Sequence, residues 1–269
     1  MNKLAHLIEL IYRRILKYNL KLVINNLVSK NEFEKSSEYK KITDELKNNG
    51  FAKIENFFSE SKCKEIINIV DIYLKENDHK IWREDNNNCD LRLFGAEKID
   101  RLIYEYYNNE KILEIGNLHV KSSLKNIYTL AGKTSFVEDN NFGSGGGWHR
   151  DSINPSFKSM LYLTDVNSGD GNLQIIKESN RFKSIIKLNS EVNKKLLNTR
   201  FQNDEVDYLI KKFNLKIYNI YGKAGSLVLF DGSYIHRGTP VINNTRYTLT
   251  NYFYLNIDVK KVKYPSPMV

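Results

Sequence analysis

Three side chains that could ligate a metal lie in two distant parts of the sequence. His149 and Asp151 form a His-x-Asp pair directly after the glycine-rich residues 143–147, and His236 lies far downstream. Two imidazoles and one carboxylate on one face of an ion leave positions open for a cosubstrate and O2, as in non-haem Fe(II) oxygenases. Because residues i and i+2 of a strand point to the same side, His149 and Asp151 can both face one pocket, provided that this segment is a strand.

A basic residue follows the second histidine after a short interval. Arg246 comes ten residues after His236, and an arginine forms a bidentate pair with a carboxylate. This pairing suits the distal carboxylate of 2-oxoglutarate, the usual cosubstrate at such iron sites. A His-x-Asp pair alone occurs by chance in many proteins, so it is the set of four residues that favours a metal-dependent oxygenase.

Four segments of the sequence are similar, in the same order, to those of one protein family. They are residues 46–59 (LKNNGFAKIENFFS), 143–151 (GSGGGWHRD), 169–180 (GDGNLQIIKESN) and 225–246. On these segments the sequence resembles the phytanoyl-CoA dioxygenase family of Fe(II)/2-oxoglutarate-dependent oxygenases. The set is far more specific than any one of its members.

Two positions depart from the family pattern. The family's Pro-Gly-Ser-His turn is Lys-Glu-Ser-Asn at residues 177–180, so we expect this turn to be built differently. Many relatives have Ser or Thr two residues after the distal histidine as a second cosubstrate anchor. Here that position is Gly238, and the next residue is Thr239. Thr239 is therefore the candidate for the second contact with 2-oxoglutarate.

The resemblance implies a fold, a set of cofactors and a reaction. The fold is α+β and mainly β: a double-stranded β-helix, which is a cupin-like jelly roll, flanked by N-terminal helices. The catalytic residues His149, Asp151 and His236 would bind Fe(II), Arg246 and Thr239 would bind 2-oxoglutarate, and O2 would be the oxidant. Hydroxylation of a C–H bond would release succinate and CO2. Related halogenases lack the carboxylate ligand, so Asp151 favours hydroxylation or a related oxidation.

Two other functions stay open at this point, because a jelly roll does not by itself define an oxygenase. One is a non-redox, cupin-like protein, such as a metal-dependent sugar isomerase or a metal-dependent binding module. The other is an interaction protein without catalysis. Neither would need Arg246 and neither would turn over 2-oxoglutarate, so succinate release separates them from an oxygenase.

The chain divides into an N-terminal helix and linker, residues 1–40, and an oxygenase domain, residues 41–269. Helices that support the core are predicted at about residues 59–115. Short strands separated by Gly, Asn, Asp and Ser turns follow at about residues 119–258. Many short strands with such turns are typical of a sandwich or jelly roll.

Several local predictions accompany this division. Ser59 should cap a helix whose apolar face carries residues at helical spacing. Residues 99–115 should form one helix, and residues 189–213 should form a helical insertion between strands. A strand should begin near His119, which we interpret, like His6 and His79, as structural or exposed. Asp165 and Asp170 should be solvated turn residues. Trp82 and Arg83 are candidates for substrate contact, although a packed tryptophan is the favoured interpretation.

Residues 1–30 carry apolar side chains at helical spacing, with Arg13, Arg14, Lys17 and Lys21 interspersed. We favour a helix packed on the domain or on a second subunit, because many core-facing helices have this pattern. The alternative is an amphipathic helix on an anionic membrane surface. No apolar run is long enough for a transmembrane helix, and no signal-peptide pattern is present. We therefore expect a cytoplasmic protein, peripheral at the inner membrane face under the alternative.

Composition narrows the class of partner. The 269 residues carry a formal net charge of +9 and only two cysteines, Cys63 and Cys89, so neither a disulfide framework nor a zinc site is predicted. The sequence has no arginine-rich tract and no nucleic-acid motif, which argues against nucleic-acid binding. We expect a small-molecule or carbohydrate substrate, with a mild preference for an anionic one because of the basic N-terminal helix.

Overall fold

The structure is a computed structural model that describes residues 3–29, 39–83, 89–137 and 143–269. Its α-helices are α1 (Lys3–Ile11), α2 (Tyr18–Ser29), α3 (Lys40–Asn49), α4 (Glu60–Glu76), α5 (Arg101–Tyr107), α6 (Glu110–Val120), α7 (Phe182–Glu191) and α8 (Asn203–Phe213). A π-helix, Tyr12–Lys17, joins α1 to α2, and 3-10 helices occupy Asp78–Lys80, Ala96–Lys98 and Asn256–Lys261.

The strands form two sheets. They are β1 (Phe51–Ile54), β2 (Trp82–Arg83), β3 (Asp90–Phe94), β4 (Leu124–Thr134), β5 (Lys158–Tyr162), β6 (Leu173–Ile176), β7 (Ile217–Ile220), β8 (Leu227–Phe230), β9 (His236–Gly238) and β10 (Arg246–Leu255). The large sheet has the order β1-β8-β5-β10-β4-β3-β2, and the small sheet has the order β7-β6-β9. All of these neighbouring strands pair antiparallel.

Strand β10 shows how the large sheet separates the hydrophobic core from a cavity. Leu249 and Phe253 belong to the main core cluster, which also contains the buried residues of helices α4 to α6. Arg246, Thr248 and Thr250 instead line a cavity that residues of the small sheet also line. Successive residues of a strand point to opposite faces, so one face of β10 packs on the helices and the other supplies side chains to the cavity.

Helix α4 begins where capping chemistry predicts. The Ser59 hydroxyl accepts a hydrogen bond from the backbone N–H of Lys62 at 3.2 Å, which confirms the predicted cap. Ile66, Val70 and Leu74 form the buried face of the helix, as expected. Full burial of such a side chain stabilises by about 1.5–3 kcal/mol, so this face is what holds α4 against the large sheet.

The boundary between the helical part and the strands lies further along the chain than predicted. Helix α6 continues beyond His119 and β4 begins only at Leu124, so the prediction of a strand from His119 was wrong. Lys121 ends α6 with a φ of 59°, a left-handed conformation that stops the helix. The single helix predicted for residues 99–115 is two helices, because the Asn109 side chain caps α6 by accepting the backbone N–H three residues later.

Other predictions changed in detail. The helical insertion predicted at residues 189–213 consists of α7 and α8, and α7 starts earlier, at Phe182. Strands β2, β3 and β9 had no clear signal in the sequence. Two segments fall outside the described residues: residues 30–38, which belong to the predicted linker, and residues 84–88. None of the helices described has the length and apolarity that crossing a membrane requires.

Candidate metal centre

The three predicted ligands converge at one point. Ligand atoms of His149, Asp151 and His236 all lie within 4.8 Å of one another. The Nε2 atom of His149 is 3.7 Å from one carboxylate oxygen of Asp151, and the Nε2 atom of His236 is 3.7 Å from the other. Two nitrogen donors and one oxygen donor on one side of a common point are the donor set of a mononuclear site with open positions.

The backbone brings the ligands together in a different way from the one predicted. His149 and His236 face each other across an antiparallel bridge, with reciprocal N–H to carbonyl hydrogen bonds of 2.9 and 2.8 Å. Asp151 lies in a bend rather than a strand, and its N–H donates to the Gly232 carbonyl at 2.8 Å. The segment is therefore an isolated bridge followed by a bend and not a strand, and its backbone hydrogen bonds to His236 and Gly232 bring the two ligands together instead.

Each histidine is held in the tautomer that a metal ligand requires. The Nδ1 atom of His149 lies 2.8 Å from the Gly147 carbonyl oxygen, and Nδ1 of His236 lies 2.9 Å from the Tyr234 carbonyl oxygen. A carbonyl accepts only, so Nδ1 must carry the proton and Nε2 keeps its lone pair. Burial, and next the neighbouring His236 ring, lower the pKa of His149 to about 3. Burial likewise lowers the pKa of His236.

Lys158, which was not predicted, lies beside the carboxylate ligand. Its ammonium nitrogen is 2.8 Å from Asp151 Oδ2 and 4.3 Å from the centre of the Tyr252 ring. Burial alone would raise the pKa of Asp151, but the charge of Lys158 holds it well below its usual range. Burial would lower the pKa of Lys158, and the charge of Asp151 raises it. Lys158 and Met160 are two residues apart on β5, so their side chains point to the same face, and both line the cavity. This alternation is the feature of the sequence that could have identified Lys158.

Arg246 lies in the same cavity as the three ligands, which has a volume of about 420 Å³. Its guanidinium is buried and donates to the Gly171 carbonyl and, at 3.3 Å, to the Thr134 hydroxyl. Its Nε atom has no hydrogen-bond partner among the described residues. The hydroxyl-bearing Thr134 and Thr248 also line this cavity. An arginine with an unused buried donor beside two hydroxyls suits a carboxylate group, so these residues fit 2-oxoglutarate.

The structure does not bring Thr239 into this cavity. The Thr239 hydroxyl donates to Asn172 Oδ1 at 3.0 Å, and its backbone N–H donates to the Asn172 carbonyl at 2.9 Å. Gly238 is part of the cavity lining, and Thr239 is not. Trp82 and Arg83 were the two candidates for substrate contact. Trp82 lines the cavity, and Arg83 pairs with Asp78.

Two residues interpreted as structural or solvated have buried roles near the site. Asp170 was expected to be a solvated turn residue, but it is 3% exposed and accepts hydrogen bonds from Asn167 and Asn244. That expectation was wrong, because the carboxylate closes the turn before β6. The His119 side chain is buried, and its Nε2 atom lies 3.5 Å from Asp231 Oδ2.

Asp231 and Ser179 organise the chain on either side of His236. Asp231 Oδ1 accepts the backbone N–H groups of Ser156 and Ser233 at 3.0 and 2.9 Å. Burial would raise the pKa of Asp231, but the His119 ring 3.5 Å away and the N–H donors of Ser156 and Ser233 hold this pKa below its ordinary value. The Ser179 hydroxyl accepts the N–H of Ile235 at 2.7 Å. Ser179 is the one residue that the departing turn, residues 177–180, keeps in common with the family pattern.

Two facing antiparallel sheets with two histidines and one carboxylate between them define a mononuclear metal protein. The family model described as Phytanoyl-CoA dioxygenase (PhyH) matches residues 46–246. That match spans most of the chain, so the protein belongs to the phytanoyl-CoA dioxygenase family. A sequence comparison with curated proteins gave no match.

Solved structures share the fold at low sequence identity. The epimerase SnoN, in complex with Fe3+, alpha ketoglutarate and nogalamycin RO, is 10% identical with a TM-score of 0.60, covering 81% of this chain and 83% of that chain. EctD from S. alaskensis, with 2-oxoglutarate and 5-hydroxyectoine, is 13% identical with a TM-score of 0.62, covering 82% and 78%. HygX from Streptomyces hygroscopicus, with nickel and 2-oxoglutarate, is 10% identical with a TM-score of 0.59, covering 81% and 87%.

Proposed function

We propose that this protein is an Fe(II)/2-oxoglutarate-dependent dioxygenase that hydroxylates a C–H bond of a small-molecule, saccharide or lipid-linked substrate. The observation that carries the proposal is the convergence of His149, Asp151 and His236 in one cavity with the buried guanidinium of Arg246. A sugar isomerase or a metal-dependent binding module of similar fold would not need that guanidinium. The two sheets then correspond to the two halves of a double-stranded β-helix.

Each residue has a separate role in this proposal. His149 and His236 donate their Nε2 lone pairs to the metal, because the Nδ1 protons are held by backbone carbonyls. Asp151 supplies the oxygen ligand and stays ionised beside Lys158. Arg246 binds the distal carboxylate of 2-oxoglutarate through its unused donor. Thr134 and Thr248 are nearer candidates than Thr239 for the additional carboxylate contact, since their hydroxyls lie in the cavity.

Bound iron and 2-oxoglutarate supply the oxidising chemistry: one atom of O2 enters the substrate C–H bond, and the other enters the succinate formed with CO2. The chain itself positions the reactants in the cavity. Structural neighbours include an epimerase and a carbocyclase, and HygX was also solved with hygromycin B bound. The mass of the product distinguishes these outcomes: hydroxylation adds one oxygen atom, ring closure removes two hydrogens, and epimerisation leaves the mass unchanged.

The charge of the cavity favours an anionic substrate. Arg92, Lys158, Arg200 and Arg246 line it together with the buried Arg150, against the two acids Asp90 and Asp151. Each of these acids pairs with one of the cations, so the remaining positive charge is available to a cosubstrate and a substrate. Cavities lined by one sign of charge concentrate ligands of the opposite sign. The half-buried Trp82 adds an apolar ring suited to the face of a sugar or a chain of methylenes.

We also propose a cytoplasmic location for the protein. Cys63 and Cys89 are both buried and form no disulfide, which is the usual state of cysteines in a reducing compartment. Burial raises the pKa of the Cys63 thiol to about 11. It therefore stays protonated and unreactive, as a core residue does.

The test begins with cosubstrate binding. Anaerobic addition of Fe(II) and 2-oxoglutarate should produce the weak visible absorption band of the chelate. Asp151→Ala and Arg246→Ala should each weaken it. Lys133→Ala is the matched control, because Lys133 pairs with Asp71 outside the cavity. If both site variants keep the wild-type band, these residues do not form the site. A substrate library assayed for succinate release and product mass then identifies the substrate and the outcome.

A further inference from the structure

The helical segment from Lys3 to Ser29 contacts the domain through both apolar and polar side chains. Leu7 and Leu10 pack in one hydrophobic cluster, and Tyr18 and Leu22 pack against the main core. Leu10 is its one fully buried aliphatic residue, and Asn25 is equally buried. The polar contacts run from Arg14 to the Asn180 carbonyl, from Tyr18 to the Pro155 carbonyl, from Lys21 to the Asp258 carboxylate, and from Asn25 to Ser122, Ser123 and Ile257. The inward face is therefore mixed, whereas an ordinary surface helix turns most of its apolar side chains towards the core.

The π-helix keeps this arrangement in register. Tyr18 follows Leu10 by eight residues, about 2.2 turns of an α-helix, so the two side chains would diverge in an unbroken helix. The wider turn of Tyr12–Lys17 restores the alignment, and Tyr18 is buried as Leu10 is. One face of the whole segment therefore stays against the domain, and the opposite face stays outward along its full length.

The outward face is apolar. Among the described residues, eleven of the eighteen exposed large hydrophobic side chains lie on this one segment. Six of them are Ile8 (58% exposed), Leu16 (60%), Leu20 (60%), Val23 (56%), Leu27 (73%) and Val28 (67%). Contiguous apolar surface of this kind marks an interaction site in a folded protein. Single exposed hydrophobic residues are common on protein surfaces, but here they follow one another along one face of a long helical segment.

Charge decides between a bilayer and a second copy of this chain. The segment contains five basic residues, Lys3, Arg13, Arg14, Lys17 and Lys21, and a single acid, Glu9. The side chains of Arg13 and Lys17 are exposed beside the apolar face, and Glu9 offsets the charge of Arg13 through a salt bridge of 2.7 Å. Two copies packed through this face would bring equal charges together, whereas anionic lipid headgroups complement them. We propose that the outward face of residues 3–29 is a docking surface for an anionic lipid bilayer.

The position of this surface relates it to the metal centre. A cavity of about 260 Å³ lies between Tyr18 and Lys21 of the helix and Asp151 and Lys158 of the site. Docking would hold that side of the molecule against the lipid headgroups. The substrate would then be a membrane-borne amphiphile with an anionic head. This consequence for the substrate rests on the proposed function, whereas the docking itself does not.

Vesicle flotation with the full-length protein, without metal or 2-oxoglutarate, tests the docking. One set of vesicles is phosphatidylcholine alone, and the other contains phosphatidylglycerol as well. The wild-type protein should float with the anionic vesicles, less with the neutral ones, and less at high salt. The triple variant Leu16→Asp/Leu20→Asp/Leu27→Asp should lower the partition coefficient by at least about 100-fold. Lys17→Glu should lower it about 10-fold.

Matched controls keep the result interpretable. Ile72→Asp and Ile242→Asp alter exposed hydrophobic residues elsewhere, at 47% and 64% exposure, and should float as the wild type does. Every variant should keep the wild-type melting temperature, because the altered side chains make few contacts. Flotation of the triple variant at the wild-type level would overturn the proposal, as would a wild-type protein that floats with neither vesicle. A wild-type dimer that the triple variant converts to a monomer, with no vesicle-bound fraction, would assign the face to a second copy.

A separate measurement tests the proposed oxygenase function independently of vesicle binding. The absorption band with Fe(II) and 2-oxoglutarate should be the same in the triple variant and in the wild type, since none of the altered residues lines the metal cavity. Loss of the band in every protein, with flotation intact, removes the proposed function and leaves the docking surface in place.

Discussion

Gly232 lies against the carboxylate ligand, and a single methyl group there should disturb the metal centre. A Cβ atom built on Gly232 would be 2.2 Å from Asp151 Oδ2 and 2.8 Å from the Ser156 hydroxyl. The Gly232 carbonyl also accepts the N–H of Asp151 at 2.8 Å. The backbone of Gly232 is outside the left-handed region, so Gly232→Ala acts by steric contact and not by backbone strain.

The size of the effect follows from this distance. Ordinary contacts of a Cβ atom begin at 3.4 Å, so the Asp151 carboxylate must retreat by about 1 Å or the 231–233 turn must move. The same oxygen is 2.8 Å from Lys158 and 3.7 Å from His236 Nε2, so a shift changes the ligand geometry. Disturbing the surroundings of a metal ligand lowers affinity about 10- to 100-fold, and overpacking costs about 1–3 kcal/mol of stability.

The assay is metal titration of the folded protein, with Ni(II) as an oxygen-stable ion and with Fe(II) under anaerobic conditions. Gly116→Ala is the control, because its Cβ atom would be 2.5 Å from the Phe157 ring in the core, away from the ligands. Both variants should lose stability in urea unfolding, and only Gly232→Ala should lose metal affinity. Wild-type metal affinity in Gly232→Ala would refute the placement of the Asp151 carboxylate.

Three further predictions concern side chains that support the site and the N-terminal helix. Asp231→Asn should lower the free energy of unfolding by about 2 kcal/mol at neutral pH. Because the folded pKa of Asp231 is depressed, its contribution is present above the ordinary carboxyl pKa and is lost as the pH falls through the folded pKa. Ser179→Ala leaves the buried N–H of Ile235 without an acceptor and should cost about 1–3 kcal/mol. Asn25→Ala removes three buried hydrogen bonds and should speed proteolysis between the helix and the domain.

Each of these has its own contrary outcome. Urea unfolding at neutral and acid pH should show the wild-type and Asp231→Asn curves approaching each other in acid, and a constant difference would mean that the charge is not the cause. Full stability of Ser179→Ala would mean that water replaces the hydroxyl. Unchanged proteolysis of Asn25→Ala would mean that the other polar contacts hold the helix without it.

The metal ligands were predictable from the sequence because chemistry restricts the residue type at those positions. A His-x-Asp pair, a distant histidine and an arginine at a fixed interval gave the site, and the structure brings His149, Asp151, His236 and Arg246 into one cavity. The cap at Ser59 was predictable for a similar reason, since one hydroxyl satisfies a known backbone donor. Such signals are local and do not depend on the rest of the fold.

What the sequence did not indicate depends on contacts between distant segments. Lys158 is one lysine among many until β5 pairs beside β10 and turns it towards Asp151. Helix α6 ends where Lys121 takes a left-handed conformation. The sequence around His119 has no pattern that predicts this end of the helix. The N-terminal segment is amphipathic by its spacing, but spacing cannot say which face lies inward. The polar contacts that decide this, such as Lys21 with Asp258, join opposite ends of the chain.

The arrangement of the site explains why its parts are spread over the whole sequence. His236 belongs to the small sheet and is paired with His149, whereas Arg246 and Lys158 belong to the large sheet. His236 and Arg246 therefore come from different sheets that line one cavity, and the packing of the two sheets contributes to the distance between them. Under the proposed function, a cosubstrate that chelates the metal at one end and pairs with Arg246 at the other must match that distance. We therefore expect selectivity for the length of the dicarboxylate to depend on the packing of the two sheets as well as on Arg246 itself.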